Sequence, residues 1–394
     1  MFNALDIARS AIGIVAKAAA KIPVIDARFR IGDRLHGPWP AGPAIWMHGA
    51  SLGECRMLLN LAKFMQEDIP NCPKILITTQ KAEVLQFLSE SGADIGYAIA
   101  PADTHSAMNL FVKSVRPLAL ILAENELWPG YLSTMRNLSI KPSVAIVSGR
   151  YHRSFPGIDF SSIGFASMQT GGDLTRFLNA SSFADTIIGG DWKLLPWVKS
   201  GRDVKPVENP TVDTVFVSMH MSEWASLSQM IESSIRRQES VVLIPRRLEE
   251  VAAFRKALQE HDILVIDWPL VQKGTVSLIS RFGLTRDVFS TARTAVIGGS
   301  FSRELGIHDF WEPLQMGVAT CVGPFSSGQA ENVSALVREG VITQIHSTAN
   351  FAKRNIPDSK LVSAFLIHER ARIQDSYNNF IQFVQSLIPK GSPE

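Results

Sequence analysis

Trp46-Met47-His48-Gly49-Ala50-Ser51-Leu52-Gly53-Glu54 ends one apolar run and begins a helix, and the reading of that junction decides the fold. Residues 43–47 are apolar throughout, as in a buried strand. From about Ser51 onward, Leu58, Leu59, Leu61, Ala62 and Met65 recur at helical spacing. Strand, small-residue turn and helix predict one βα unit, with His48, Ser51 and Glu54 gathered where strand becomes helix. Ligands of open α/β sheets collect there, beyond the carboxyl ends of the strands. Ser51-x-x-Glu54 also satisfies a capping box, in which the hydroxyl accepts from the amide of Glu54 and the carboxylate reaches back. The spacing alone is compatible with capping and with catalysis.

Outward from that unit the alternation continues. Strand-like runs at 74–79, 118–123, 143–148 and 163–168 alternate with helical patterns at 81–91, 104–115 and 127–138. Apolar strands separated by helices predict a parallel sheet covered on both faces. The pattern breaks near Gly189-Gly190-Asp191-Trp192-Lys193 and restarts with runs at 215–218, 241–244, 263–266, 276–279, 295–297 and 319–322. At 394 residues the chain exceeds one typical core, so two domains of roughly 180 residues each are expected. The boundaries drawn are an N-terminal helix at 1–40, a first Rossmann-like domain at 41–195 and a linker at 196–210. A second Rossmann-like domain follows at 211–355, and a C-terminal helix at 356–394 packs back on the first domain. The fold class is α/β, with two doubly wound domains facing each other.

Composition narrows the function. Hydrophobic residues make up 46% and charged ones 19%, as in an ordered globular protein, and a formal net charge of only +2 argues against nucleic acid as partner. Cys55, Cys72 and Cys321 are widely separated, which suggests neither a disulfide framework nor a zinc site. Residues 4–20 read as an apolar helix interrupted by Asp6, Arg9 and Lys17, and their uncharged run 10–16 falls far short of the ~20 residues of a membrane span. A basic start and a cleavage site, the marks of a signal peptide, are absent from this reading. Lys17, Lys21, Arg28, Arg30 and Arg34 accompany that helix. Such a segment can lie on an anionic membrane surface or simply pack on its own domain.

Three further constellations carry chemistry. Glu124-Asn125-Glu126-Leu127-Trp128-Pro129 follows the apolar run 118–123. Its two acids sit where active-site loops sit, or else favour the next helix through its dipole. Arg246, in Ile244-Pro245-Arg246-Arg247, ends a strand and can clamp a phosphate, or belong to a solvated basic loop. Gly298-Gly299-Ser300-Phe301 leads through Gly306-Ile307-His308-Asp309 to Glu312-Pro313, with a helix expected near Asp309. Amides at that helix start, beside glycines, would form a phosphate site, and Glu312 could accept from both hydroxyls of a ribose. Asp309-x-x-Glu312 again matches a capping box.

Together these motifs resemble the Kdo transferases, which attach 3-deoxy-D-manno-octulosonic acid (Kdo) to lipid A precursor. The residues that carry the resemblance are His48 to Glu54, Glu124 to Pro129, Pro245-Arg246, Gly298-Gly299-Ser300, and Glu312-Pro313 with Gly323-Pro324. The resemblance implies a GT-B glycosyltransferase with the acceptor domain first, the nucleotide-sugar domain second and a crossing C-terminal helix. It implies an inverting transfer of Kdo from CMP-Kdo to lipid A precursor, in lipopolysaccharide biosynthesis, by a protein held peripherally on the cytoplasmic face of the bacterial inner membrane. Glu54 matches the catalytic base, and Arg246 and Glu312 match the CMP-sugar site. His48, Ser51, Glu124 and Glu126 would bind the acceptor or support the transition state, while Gly299, Ser300, His308 and Asp309 would complete the donor site. Neither a cofactor nor a metal is expected, because CMP has no diphosphate to bridge.

The chain departs from the family mainly on the donor side. It has Arg246-Arg247-Leu248 where Arg-His-Pro is usual and Gly306-Ile307-His308-Asp309 where Gly-Gly-His-Asn is usual. It has Thr78-Thr79-Gln80-Lys81-Ala82 in place of a Thr-rich run, and 325–329 lacks the usual His and Asn-Phe. Two other readings follow: a GT-B enzyme using another nucleotide sugar, or a weakened homologue that serves as a membrane-surface binding protein.

Overall fold

The computed structural model describes residues 30–138, 143–152, 158–181, 186–353 and 355–389, so the segment 4–20 lies outside the described residues. The chain forms two compact units, one of residues up to Ser200 together with those from Arg370, the other Gly201–Glu369.

The first unit is built on seven parallel strands: β1 (Ala44–His48), β2 (Lys74–Thr79), β3 (Gly96–Ile99), β4 (Pro117–Ala123), β5 (Val144–Gly149), β6 (Ile163–Met168) and β7 (Thr186–Ile188). They lie in the order β3-β2-β1-β4-β5-β6-β7. The order reverses between β1 and β4, where His48 stands beside Leu122, one residue short of the end of β4. A crevice opens at such a reversal point, outside the carboxyl ends of the strands. Both acidic motifs of the first domain therefore emerge at one place.

The second unit repeats the plan with β8 (Val212–Met219), β9 (Val241–Pro245), β10 (Val265–Asp267), β11 (Val276–Leu278), β12 (Ala292–Ile297), β13 (Ala319–Val322) and β14 (Ile342–Gln344). Their order is β10-β11-β9-β8-β12-β13-β14, with the reversal between β8 and β12. That pair delivers His220 and Gly298 to the same edge. The central strands β1, β4 and β12 are buried along nearly all their length, which is why they read as unbroken apolar runs. Sequence reasoning missed β3, β7 and β14. Each is a three- or four-residue strand at a sheet edge, too short for a pattern to show.

The helix Leu52–Asp68 starts at Ser51 and buries Cys55, Leu58, Leu59, Leu61, Ala62 and Met65 along one stripe. Each such large side chain contributes about 1.5–3 kcal/mol of burial. The stretch read as opening the linker is helical first, over Leu195–Ser200. The final helix, Ser359–Leu387, enters the first unit from Arg370 onward. There Ser376 and Ser167 hydroxyls meet at 2.8 Å, and Tyr377 donates its hydroxyl proton to Asp68 at 2.6 Å. Gly189 is required at this contact, because a Cβ there would fall 2.2 Å from the Ser376 hydroxyl. Among the described residues no helix is long and apolar enough to cross a membrane.

Candidate active site

In the first unit the capping box is real. Ser51 accepts from the Glu54 amide at 3.2 Å, and Glu54 Oε2 accepts from the amides of Ala50 and Ser51 at 2.7 and 3.3 Å. The Ser51 hydroxyl donates to Glu54 Oε1 at 2.8 Å. A carboxylate offers about four acceptor directions, and three are occupied here, so about one is left for an incoming group. Glu54 is 8% exposed. Burial first, and then the negative field of Glu124, raise its carboxyl above the ordinary glutamate range, against the hydrogen bonds from Ser51 and Ala50. Capping and a raised proton affinity therefore coexist in one side chain: the cap orients the carboxylate while its surroundings raise its basicity.

Glu124 and Glu126 do not sit in the first turn of the following helix, which begins at Pro129. The helix-dipole explanation therefore fails for both. Glu124 takes a left-handed backbone (φ 52°) directly after β4, a conformation that costs of order 1–3 kcal/mol in a non-glycine residue. Its buried carboxylate pairs with Lys193 Nζ at 2.7 Å and with Arg150 Nη2. Glu126 lies 3.3 Å from His48 Nε2 and accepts from the Trp128 indole at 2.8 Å. Burial alone would raise the Glu126 carboxyl, but His48 and Trp128 outweigh it and hold the group below its usual range. His48 is fully buried, with Nδ1 3.1 Å from the Thr78 carbonyl and 3.0 Å from its hydroxyl. Two neighbouring glutamates thus have opposite settings: Glu54 raised, Glu126 lowered.

Lys193 and Arg150 escaped the sequence reading. Burial pulls the Lys193 ammonium down, but Asp191 and Glu124 more than restore it, so its net position is above the ordinary lysine value. Lys193 also lies over Gly53, its Nζ 3.9 Å from where a Cβ would stand, beside the helix that carries Glu54.

In the second unit the glycines serve a different purpose from the one expected. A Cβ on Gly298 would fall 2.1 Å from the Ser218 carbonyl, and one on Gly299 2.2 Å from the Gly306 carbonyl. Both admit the protein's own backbone. The Ser300 hydroxyl is fully engaged, donating to the Ile297 carbonyl and accepting from the Gly323 amide at 2.7 Å. The expected helix begins at Trp311 and is only five residues long. Its first amides, of Trp311 and Glu312, are taken by Asp309 Oδ1 at 2.8 and 3.3 Å. No open phosphate cradle exists at that helix start.

Arg246 is exposed, and among the described residues its guanidinium has no ion-pair partner. His308 reaches His220 with Nε2 to Nε2 at 2.8 Å, the rings inclined by 24°. Burial, then Arg246 and His220, push the His308 imidazole down to about 4, so it is neutral at physiological pH. His220 and Glu223 were missed, although His220-Met221-Ser222-Glu223 repeats at the end of β8 what His48 to Glu54 does at the end of β1.

Residues 24–177 match the family model described as 3-deoxy-D-manno-octulosonic-acid transferase (kdotransferase). The chain is 23% identical over 345 residues to a 3-deoxy-D-manno-octulosonic acid transferase of Chlamydia pneumoniae, covering 80% of this chain and 78% of the relative. It is 23% identical over 301 residues to the transferase of the same name from Aquifex aeolicus, covering 75% and 80%. Among solved structures, a UDP-glucosyltransferase from Polygonum tinctorium superposes with a TM-score of 0.53 at 12% identity, over 88% of this chain and 100% of the other. At that identity the likeness concerns the fold, which is GT-B.

Proposed function

We propose that the chain, similar to Kdo transferases over most of its length, is a glycosyltransferase of that family that transfers Kdo from CMP-Kdo to a lipid A precursor with inversion at the anomeric carbon. The observation that carries this reading is Glu54, an oriented carboxylate with a raised proton affinity and about one acceptor direction unused.

In the proposed step the acceptor hydroxyl gives its proton to Glu54. The freed electron pair of that oxygen bonds to the anomeric carbon of Kdo from the face opposite the phosphate. The bond from that carbon to the phosphate oxygen breaks, and CMP leaves with the electron pair. A general base must lie within hydrogen-bond reach of the proton it removes. Lys193 and Arg150, gathered on Glu124, supply positive charge close to the base, where an acidic sugar needs it. In the donor unit Arg246 offers an unpaired guanidinium to the phosphate, whose charge grows as the bond breaks. Glu312 would hold the ribose, with His308 beside the phosphate.

The acceptor in this reaction is a lipid, so we place the protein peripherally on the cytoplasmic face of the inner membrane, held by its N-terminal basic segment. Deleting residues 2–20 should lower binding to anionic vesicles, and added salt should weaken what binding the full chain shows. Equal binding by both forms rejects this placement.

The deciding assay supplies CMP-Kdo and lipid A precursor and follows CMP release together with the product's anomeric configuration. Inverted Kdo-lipid supports the proposal. Turnover of UDP-sugars with none of CMP-Kdo overturns the donor assignment, and a retained configuration overturns the mechanism.

A further inference from the structure

The glycine loop after β12 does contain an anion site, but the protein's own carboxylate occupies it. Glu223 is 2% exposed. Its Oε2 accepts from the amides of His220 and Gly299 at 3.1 and 2.9 Å, and its Oε1 accepts from the amide of Phe301 at 3.0 Å. Three converging backbone N–H groups are the arrangement that elsewhere holds a phosphate. Here they hold a carboxylate from the turn that follows β8.

We infer that Glu223 is a positioning residue, which brackets the two loops at the switch point of the second sheet and so assembles the His220–His308 pair that faces the donor.

The bonding supports this directly. One oxygen of Glu223 joins the backbone of His220 to that of Gly299. The amide of His308 in turn donates to the carbonyl of Gly298 at 3.2 Å. Each imidazole is thus tethered to the same carboxylate through a short run of backbone. Their Nε2 atoms meet at 2.8 Å, a separation that needs one proton between them. With none, two lone pairs oppose each other; with two, two N–H groups do. The pair therefore presents itself as one donor and one acceptor, and the low position of His308 agrees with a single shared proton. Because the loop amides are taken, recognition of an anionic donor falls to side chains, with Arg246 close enough to His308 to lower its proton affinity. Only this last step rests on the donor reading given above.

The test uses the full chain labelled with nitrogen-15 at histidine. The parent should show scalar coupling across the hydrogen bond between Nε2 of His220 and Nε2 of His308. Glu223→Ala removes the acceptor of all three backbone N–H groups, so the bracket opens. The coupling should vanish, and CMP should bind about tenfold more weakly, the effect of losing one charge-assisted hydrogen bond. Glu223→Asp keeps the charge but is one methylene shorter, so it should retain the fold while giving the same two losses. Coupling and CMP affinity unchanged in either variant overturn the inference, as does the absence of coupling in the parent. If CMP fails to bind the parent, the donor reading falls, while the coupling measurement still decides the role of Glu223.

Discussion

Lys193 Nζ stands 2.7 Å from Glu124 Oε1, and Arg150 meets the other oxygen of the same carboxylate. This pairing sets the field at Glu54, because Glu124 is the largest charged influence raising the Glu54 carboxyl. Removing Lys193 leaves Glu124 less compensated and the field at Glu54 more negative. Lys193→Met should therefore raise the Glu54 carboxyl further and move the acid limb of the rate profile to higher pH. Lys193 is one-third exposed, so the lost pair should cost only about 1–2 kcal/mol of stability. Rate–pH profiles with parallel melting curves check this, and an unmoved acid limb would show that Glu124 does not act on Glu54.

Glu54→Gln separates the cap from the base. A glutamine oxygen in the Oε2 position still accepts from Ala50, and its NH2 in the Oε1 position can donate to the Ser51 hydroxyl. The cap survives and the basicity does not. Turnover should fall by ~10²–10⁴, with the fold intact. The stability comparison has a definite sign. A carboxyl raised by folding favours the folded state while protonated, and that contribution is lost as pH rises through its folded value. The variant should therefore gain on the parent as pH rises above the ordinary glutamate range and through the raised folded value. Near-parental turnover would exclude Glu54 as the base.

The fold was legible where strands are central and buried on both faces, as with β1 and β4, because continuous apolar runs follow from that burial. It was not legible at the edges, where Thr186–Ile188 and Ile342–Gln344 offer three residues each. That Glu54, His48 and Glu126 would be neighbours was legible because each stands at or just after a strand end within a compact motif. Lys193 and Arg150 were not, being single basic residues 69 and 26 positions from the acid they serve. Gly298 and Gly299 were misread for a different reason. A glycine signals close approach, but the sequence does not say whether a ligand or the chain's own carbonyl approaches.

His308 provides an acid-side prediction. Its imidazole titrates at about 4 in the folded chain, against an ordinary value of 6.5. Between those values the unfolded chain binds a proton that the folded chain excludes, so stability falls as pH drops from about 6.5 toward 4 and this loss ends below it. His308→Asn should flatten that part of the stability curve. Chemical denaturation across this range decides it, and an identical slope in both proteins would contradict the neutral pair with His220.

Arg246 and Glu312 define the donor prediction. The guanidinium of Arg246 is exposed and is positioned by its own amide, which donates to the Met219 carbonyl at 2.8 Å. Arg246→Ala should therefore leave the strand end in place while removing the charge. Asp309 already caps the short helix that carries Glu312, so Glu312→Ala should not uncap it. A charge-assisted hydrogen bond contributes roughly 1.5–3 kcal/mol, so each alanine should weaken CMP about ten- to a hundredfold. Glu312→Gln discriminates further, since an amide keeps one acceptor oxygen where the carboxylate offers one to each hydroxyl of a ribose. Calorimetric titration with CMP supplies the measurement, and titration with a 2′-deoxy analogue isolates the ribose contact. If both alanine variants kept the parental affinity, CMP would be held elsewhere in this unit, and the departures at Arg247 and Ile307 would mark a relocated donor site.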